Sequence, residues 1–478
     1  MKGRIPSEDL QQIPGSQKVK NRLSPLMQFA LIAGPFMVMI DSSVVNVAIP
    51  VISKSFNSSI SAVQWVTSAY LLSLGAFLVF SPYASKKFGP LRPYSFSLGA
   101  FTAFSLLCAL SPSLNVLIFA RIAQGASGAL MVPLAMDILF GESEGTERIS
   151  PLIGFVLFLA PAVGPSLGGA LIQTFGWHAI FLINIPVGAS AVSIVLTNKE
   201  LKFHLMKVEQ RFDYMGSVIF GAGIALLLYG SSEGTAVGWT SKFTLVSILL
   251  GILLTLAYIV WASRKQNPSV NLRIVKNPGR ALSLVIGIIA NTVLFSAIFL
   301  IPVFVELVRG ASALSAGLVL LPQGITTGIG TVIGNEWSKR GDKRTIVITG
   351  MVVLTISTVP LAFITSSSSL LLLSLILCGR GIALGLTVQP LLYKIIGGLS
   401  LSDIPDGNAL FNVAERISGA FGISILATFF ESEEKYYTVS HRVSGLSQAG
   451  SLAFHETMLI LIVLSSIGLI MTLFMKRD

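Results

Sequence analysis

Charged residues are rare inside the long apolar stretches of this sequence, and two of them have types suited to moving a proton. Asp41 follows an apolar run and stands beside Ser42, Ser43 and Asn46, and Arg121 lies within another apolar stretch. A charge in membrane hydrocarbon costs about 2.5–3.5 kcal/mol on insertion scales, so both residues are candidates for function. A desolvated carboxylate can take up and release a proton. Arginine keeps its charge and can pair with that carboxylate in one state only.

Each of these two residues also has a structural interpretation. Asp41 either carries a proton or contacts a substrate, or it only hydrogen-bonds across helices and holds them together. Arg121 either takes part in proton coupling or forms a permanent ion pair. The two interpretations differ in one respect, because a coupling pair must separate during the working cycle and a structural pair stays closed.

Most other ionisable residues lie near the ends of apolar stretches or next to a residue of opposite charge. Glu415 and Arg416 are adjacent, so on a helix they point about 100° apart and cannot both face one cavity squarely. One arrangement has Glu415 lining the pathway, and the reverse arrangement stays open. Asp137, near the end of its apolar stretch, is a gating candidate. We expect Glu306 at a solvated mouth and a structural role for Arg380.

Uncharged polar and aromatic side chains in the same stretches could line a binding cavity. Amides inside a helix bundle need hydrogen-bond partners, which a substrate or a neighbouring helix can supply. Aromatic rings bind apolar cations by stacking and cation–π contact, although in membrane helices they more often face lipid or the interface. The predicted substrate-binding residues are Asp41, Glu415, Asn46, Gln124, Asn291, Gln323, Gln389, Phe36 and Tyr70.

The composition indicates the elements that must position these side chains. Hydrophobic residues make up 53% of the 478 positions and charged residues only 12%, against about 25% charged residues in a soluble domain. The apolar residues form blocks of about 20, the length that crosses a bilayer as helix. The blocks are apolar all round, without the alternation of a barrel strand, so the sequence predicts an all-α membrane protein.

The blocks predict fourteen membrane-spanning helices with both termini in the cytoplasm and a location in the cell membrane. Most of the 33 lysine and arginine residues fall in segments that this arrangement places inside, as the positive-inside rule requires. A basic cytoplasmic rim facing anionic lipid explains the net charge of +11, so nucleic-acid binding is not expected. The predicted spans are 28–49, 61–81, 93–111, 114–139, 150–174, 178–197, 213–231, 242–262, 281–308, 313–335, 345–364, 369–396, 406–430 and 454–475.

Enzyme signatures are missing from the sequence. It has no His-Glu-x-x-His motif, no Walker-type phosphate loop and no cytoplasmic segment long enough for a catalytic or ATP-binding domain. Cys108 and Cys378 are far apart in apolar blocks, where we expect packing residues and neither a disulfide nor a metal pair. We therefore expect no enzymatic activity, no cofactor and no resident metal, and an ion gradient as the energy source.

Two pairs of short motifs indicate an internal repeat. KKFGPLR (Lys86–Arg92) is echoed by SKRGDKR (Ser338–Arg344), and RIAQGASG, beginning at Arg121, is echoed by RGIALGL, beginning at Arg380. Related halves around a central site can exchange which side is open, as alternating access requires. The predicted organisation is a tail at 1–27, a six-helix bundle at 28–197, an inserted helix pair at 213–262 and a second six-helix bundle at 281–475.

Over essentially its whole length the chain resembles the fourteen-span drug:proton antiporters of the major facilitator superfamily. Arg121, Gln124 and Gly125 resemble the superfamily's Arg-x-x-Gln-Gly motif, and APAVGPSLGG (Ala160–Gly169) resembles a motif associated with exporters. The remaining matches are IDSSVVNVAIP (Ile40–Pro50), WHAIFLINIPVG (Trp177–Gly188), FDYMG (Phe212–Gly216) and LVLLPQG (Leu318–Gly324).

The resemblance implies proton coupling through Asp41 and Arg121 and a gate in the loop after the second span. That loop departs from the family pattern, because Lys86 stands where the family has aspartate and Ser338 stands at the matching place in the second half. Glu336 or Asp342 could substitute for the missing acid. The predicted gating residues are Gly164, Pro165, Gly168, Gly169, Lys86, Gly89, Arg92 and Asp137, with the glycines giving a flat helix face for close packing.

The function that the resemblance implies is proton-coupled export of amphipathic or hydrophobic compounds, that is, multidrug efflux by a monomer. Its expected partners are a small-molecule substrate, protons and membrane lipids. Two alternatives stay open: export of one endogenous metabolite or lipid-like solute, and a membrane sensor that does not transport.

Overall fold

The structure is a computed structural model that describes residues 24–58, 60–142, 163–164, 167–197, 213–340, 342–400, 403–439 and 446–476. Within these ranges the chain is helical, with short turns and no strand. An all-helical chain fits the sequence, because in lipid only segments that satisfy their own backbone hydrogen bonds are stable. The predicted span at 150–174 and the predicted tail at 1–27 lie largely outside the described residues.

Fifteen helices in the described part have defined ends, and a further helical stretch covers residues 167–175. They are α1 (Pro25–Ser55), α2 (Ile60–Phe77), α3 (Ser81–Phe88), α4 (Leu91–Ala109), α5 (Leu114–Glu142), α6 (Ala179–Leu182), α7 (Asn184–Thr197), α8 (Tyr214–Ala236), α9 (Lys242–Arg264), α10 (Pro278–Val303), α11 (Ala313–Arg340), α12 (Lys343–Ala362), α13 (Leu370–Ile396), α14 (Ile404–Val439) and α15 (Leu446–Leu473).

Side-chain caps fix where several helices begin. Ser24 accepts a hydrogen bond from the Met27 N–H at the start of α1, and Asp213 accepts one from Gly216 at the start of α8. Such caps satisfy backbone donors that the first turn of a helix leaves free. Gly89 ends α3 with φ +71°, a conformation that glycine adopts readily. Only two residues therefore separate the end of α3 from the start of α4.

Twelve helical segments in the described part are long and apolar enough to cross a membrane. The chain is thus a multi-pass membrane protein, while the number fourteen stays a prediction. Of the two predicted spans outside the twelve, 150–174 is mostly undescribed. The other is α4, a 19-residue helix whose polar first turns, with Arg92, Ser95 and Ser97, lower its average hydropathy.

Two helices differ in length from the predicted spans. Helix α14 continues to Val439, where the sequence predicts an end at 430, and α15 begins at Leu446, where it predicts 454. The added turns of α14 contain Glu431, Glu433 and Glu434, which are polar but favourable in a helix. Hydropathy marks the part of a helix that lies in lipid, and a helix can extend beyond it into water.

Close helix packing depends on glycine at particular positions. Helix α13 approaches α11 so closely that a Cβ on Gly385 would lie 2.2 Å from the backbone nitrogen of Thr331. The same applies to α5 and α2, where a Cβ on Gly125 would lie 2.4 Å from the Tyr70 carbonyl oxygen. Small residues permit such contacts in lipid, where van der Waals packing holds helices together.

We expect the substitution Gly385→Ala to destabilise the protein, because the new methyl group would meet backbone atoms of α11 that cannot move away. Overpacking of this kind costs about 1–3 kcal/mol. The measurement is the melting temperature of the purified protein in detergent. Gly169→Ala is the matched control, since a Cβ at Gly169 meets no described atom within 4 Å. Equal melting temperatures for the two variants would contradict the packing described for α11 and α13.

Candidate functional site

Asp41 and Arg121 form a buried ion pair between α1 and α5. An Nη1 atom of Arg121 binds Asp41 Oδ2, and both side chains are fully buried. The second carboxylate oxygen, Oδ1, accepts hydrogen bonds from Gln124 Nε2 at 3.4 Å and from Asn184 Nδ2 at 3.2 Å. The two charges that the sequence singles out are therefore in direct contact.

The guanidinium group of Arg121 is enclosed by further partners. Its Nε donates to the Val66 carbonyl at 3.0 Å, and its Nη1 also donates to Gln124 Oε1 at 2.8 Å. The guanidinium carbon lies 3.9 Å from the centre of the Tyr70 ring and 5.6 Å from that of Phe181. Cation–π contacts of this kind stabilise a cation most when water is excluded.

Two of the predicted substrate-binding residues belong to this cluster. Gln124 and Tyr70 are fully buried, and the Tyr70 hydroxyl donates to the Val38 carbonyl at 3.2 Å. In this conformation they contact the ion pair, and neither faces a cavity. Asn184, which sequence reasoning did not single out, is the further member. It lies in the WHAIFLINIPVG motif, and its position there was the signal that could have identified it.

The ion pair defines what this cluster can do chemically. Removing one partner of a buried pair leaves an uncompensated charge, at a cost of about 3–5 kcal/mol. Protonation of Asp41 would remove its negative charge without removing its hydrogen-bonding capacity. Because the carboxylate is 1% exposed, a proton reaches it only in a conformation where the surrounding helices have moved.

Glu415 on α14 is half-buried. Its carboxylate makes no hydrogen bond within the described part of the chain, and the adjacent Arg416 carries the opposite charge. Arg416 is within electrostatic range of Tyr70 on α2. Its Nε has no described acceptor.

The predicted polar lining residues are buried, and two of them have an oxygen without a described hydrogen-bond partner. Asn291, Gln323 and Gln389 are all less than 9% exposed, and the Oε1 atoms of both glutamines have no partner among the described residues. An unsatisfied buried amide costs about 1–3 kcal/mol, so each is a candidate to bind water or a ligand. Phe36 is half-buried on α1 against a neighbouring apolar cluster. The side chain of Asn46 lies outside the described residues.

A second polar cluster joins α3 and α5 to the start of α14. Lys86 forms an ion pair with Asp406, whose other oxygen accepts the Asn271 N–H at 3.0 Å. Beside it, Asn408 Nδ2 donates to Asp137 Oδ1 at 2.7 Å. We call these five residues the Lys86 cluster.

The Lys86 cluster gives Lys86 an acidic partner that the sequence did not indicate. That partner is Asp406 of α14, while a substitution of Glu336 or Asp342 for the missing acid stays a prediction. Asp342 begins α12, where its Oδ1 accepts the Arg344 N–H. Asp406 lies in the first turn of α14, where the helix dipole favours a negative charge.

The other predicted gating residues have varied surroundings. A Cβ on Gly164 would overlap Ser43, and one on Gly168 would lie 3.1 Å from Val44, so both glycines permit close contact with α1. Gly169 meets nothing nearby, and Pro165 lies outside the described residues. Arg92 is exposed.

Arg380 is as deeply buried as Arg121 but has no described carboxylate partner. Its Nη1 donates to Thr358 Oγ1 at 2.5 Å, and its Nη2 donates to the Val293 carbonyl at 2.9 Å. These contacts fit the structural role suggested for it. The two arginines that the repeat relates are therefore held by different chemistry.

Comparisons with known proteins identify the fold and the family. A family model described as Major Facilitator Superfamily matches residues 31–423. The chain is 28% identical to the multidrug resistance protein B homolog of Mycobacterium tuberculosis (strain ATCC 25618 / H37Rv), over 87% of this chain and 78% of the relative. It is 26% identical to lincomycin resistance protein LmrB of Listeria monocytogenes, over 98% and 99%.

A solved structure shows the same fold. The proton:xylose symporter XylE, bound to 6-bromo-6-deoxy-D-glucose, superposes with a TM-score of 0.56 over 95% of this chain and 96% of that chain, at 14% identity. The family model covers most of the chain, and the helical architecture agrees with it. The protein therefore belongs to the Major Facilitator Superfamily and is a multi-pass membrane transporter.

Proposed function

We propose that this chain is a proton-coupled exporter of amphipathic compounds at the cell membrane. The observation that carries the proposal is the ion pair of Asp41 and Arg121, buried within membrane-spanning helices. An ionisable carboxylate at such a position is costly, and its charge state changes how firmly the helices hold together. Relatives named for multidrug and lincomycin resistance support export of foreign compounds.

The proposed architecture is two six-helix halves, with α8 and α9 inserted between them and both termini in the cytoplasm. The repeat pairs Arg121 of α5 with Arg380 of α13, and both arginines are fully buried. The correspondence supports a duplicated bundle and, with it, alternating access.

The proposed coupling step occurs at Asp41. When Asp41 is ionised it attracts Arg121 and closes α1 against α5. When it is protonated the attraction falls to a hydrogen bond, and the conformation in which the two helices separate becomes more populated. Proton uptake on one side and release on the other would then drive the exchange of a substrate for a proton.

The Lys86 cluster is the proposed cytoplasmic gate. It joins α3 and α5 of the first half to α14 of the second, so it must open before a cytoplasmic substrate can enter between the halves. The resemblance to the family places an aspartate where this chain has Lys86. Here the first half contributes the positive charge and α14 contributes the negative charge, so the attraction is kept with its polarity reversed.

Glu415 is the proposed contact for substrates that carry a positive charge. It is half-buried, and its carboxylate has no described hydrogen-bond partner. A cationic compound would supply the missing partner. Gln323 and Gln389, with unsatisfied buried oxygens, are the proposed polar contacts.

We expect Asp41→Asn to abolish efflux driven by an imposed pH gradient, because an amide cannot exchange a proton. The measurement is ethidium transport in inverted membrane vesicles. Exchange of labelled for unlabelled substrate without a gradient should persist, and it reports that the variant is folded. Glu306→Gln is the control, since Glu306 is an exposed carboxylate. Efflux by Asp41→Asn that still follows the pH gradient would rule out proton coupling at this residue.

We expect Lys86→Asp to lower transport about tenfold, equivalent to about 1.4 kcal/mol, because it would place two carboxylates in contact at the gate. The double variant Lys86→Asp with Asp406→Lys should recover at least half of the activity. Lys87→Asp, which changes the adjacent exposed lysine, should leave transport unchanged. A double variant no more active than Lys86→Asp alone would show that the pair does not act as a gate.

We expect Glu415→Gln to raise the KM for cationic substrates about tenfold while neutral substrates keep their wild-type KM. The physical reason is the loss of the charge that would pair with the cation. The measurement is the initial efflux rate for a panel of cationic and neutral compounds of similar size. An equal change for both groups would assign Glu415 to coupling or folding and would contradict a substrate contact.

A further inference from the structure

The helix pair α8 and α9 contributes no residue to the Asp41–Arg121 ion pair or to the Lys86 cluster, yet it is well packed. Helix α8 lies between α2 on one side and α14 on the other. Helix α9 packs on α8, and most of its apolar side chains are exposed, including Phe243, Leu249 and Leu253. This exposure is what a lipid-facing helix requires. The pair therefore bridges the two proposed halves.

The contact between α8 and α14 includes two hydrogen bonds just past the middle of α14. Ser424 Oγ donates to the Ser231 carbonyl at 2.7 Å. Trp239, in the turn after α8, donates through its indole N–H to Thr428 Oγ1 at 3.0 Å. Hydrogen bonds between membrane helices contribute about 0.6–2 kcal/mol each and need a fixed geometry.

The start of α14 is also attached to the α8–α9 pair, through the linker that follows α9. Asn271 in this linker donates its N–H to Asp406 Oδ1 at 3.0 Å. The linker is in turn bound to the start of α8, because Ser269 Oγ donates to the Asp213 carbonyl at 3.0 Å. The two attachments are separated by about 30 Å along α14, at 1.5 Å per residue.

The contact between α8 and α2 has a different character. A Cβ on Gly75 of α2 would overlap Leu228 of α8, and one on Gly221 of α8 would lie 2.8 Å from the Ala76 carbonyl oxygen. Near the end of α8, the ring of Tyr229 stacks on Trp65 at 5.9 Å between centroids. These are van der Waals and ring contacts, which are less directional than the hydrogen bonds between α8 and α14.

We propose that α8 and α9 form an arm of the second half, which moves together with α14 and slides along α2 when the transporter changes state. Two attachments 30 Å apart prevent α14 from rotating away from α8, whereas a glycine-lined apolar surface permits small sliding movements of packed helices. The proposal rests on alternating access as proposed above. In this proposal, the two halves move relative to each other at the surface between α2 and α8.

The test compares two disulfide cross-links in a chain whose Cys108 and Cys378 are replaced by alanine. One variant carries Ser231→Cys and Ser424→Cys, joining α8 to α14. The other carries Gly75→Cys and Leu228→Cys, joining α2 to α8. After oxidation we expect ethidium efflux of the first to stay within twofold of its reduced form. Efflux of the second should fall at least tenfold and return on reduction.

The opposite pattern, with transport blocked by the α8–α14 cross-link and retained with the α2–α8 cross-link, would contradict the proposal that α8 and α9 move together with α14. Absence of efflux in both reduced variants would speak against the proposed function, and a second measurement then tests whether α8 moves with α14.

Spin labels at the exposed positions Leu71, Val218 and Ile425 report distances between α2, α8 and α14 at pH 5.5 and pH 8. We expect the Val218–Ile425 distance to stay fixed and the Leu71–Val218 distance to change. A change in the former, or no change in either, contradicts the proposal.

Discussion

The arrangement of the first half depends on satisfying one buried cation. Arg121 cannot lose its charge, so the helices around it must supply acceptors in a region without water. Helix α1 supplies Asp41, α2 supplies the Val66 carbonyl, and α5 itself supplies Gln124. Helix α7 completes the group, because Asn184 holds the remaining oxygen of the carboxylate. Four membrane-spanning segments thus converge on a single pair of charges.

The related site in the second half is built without a carboxylate. Arg380 is held by a hydroxyl and a backbone carbonyl, neither of which can change its charge. In the proposed coupling step such a site would offer no carboxylate to take up a proton, whereas Asp41 would supply one. If the two proposed halves arose by duplication, the surroundings of their buried arginines have diverged. The proposed first half pairs its arginine with a carboxylate. The proposed second half contributes Glu415, which is half-buried and whose carboxylate has no hydrogen-bond partner among the described residues.

The sequence predicted most of the fold, because apolar blocks of membrane length leave few structures other than helices. It was less informative for α4, where serines and an arginine interrupt the apolar pattern, and for α14, which continues beyond the lipid-facing block. The contact of Asp41 with Arg121 was foreseeable, since two rare opposite charges in a membrane protein are expected to meet. Asn184 was missed because a neutral amide in an apolar segment has no comparable cost. Asp406 was missed because it is 320 residues from Lys86, and the repeat directed attention to acids in the matching loop.

Helix α14 is the element through which these separate sites can act together. It is one continuous helix of 36 residues, about 54 Å long at 1.5 Å per residue. Asp406 and Asn408 at its start contact α3 and α5, Glu415 lies in its first third, and Ser424 further along is bound to α8. In the proposed cycle, a tilt of this helix that opened the Lys86 cluster would also displace Glu415 and α8, because an uninterrupted helix moves nearly as a rigid body. The proposed gate needs an attraction between the start of α14 and the first half. This attraction is equally strong whichever of the two sides carries the positive charge, so the reversed polarity at Lys86 is compatible with the proposal.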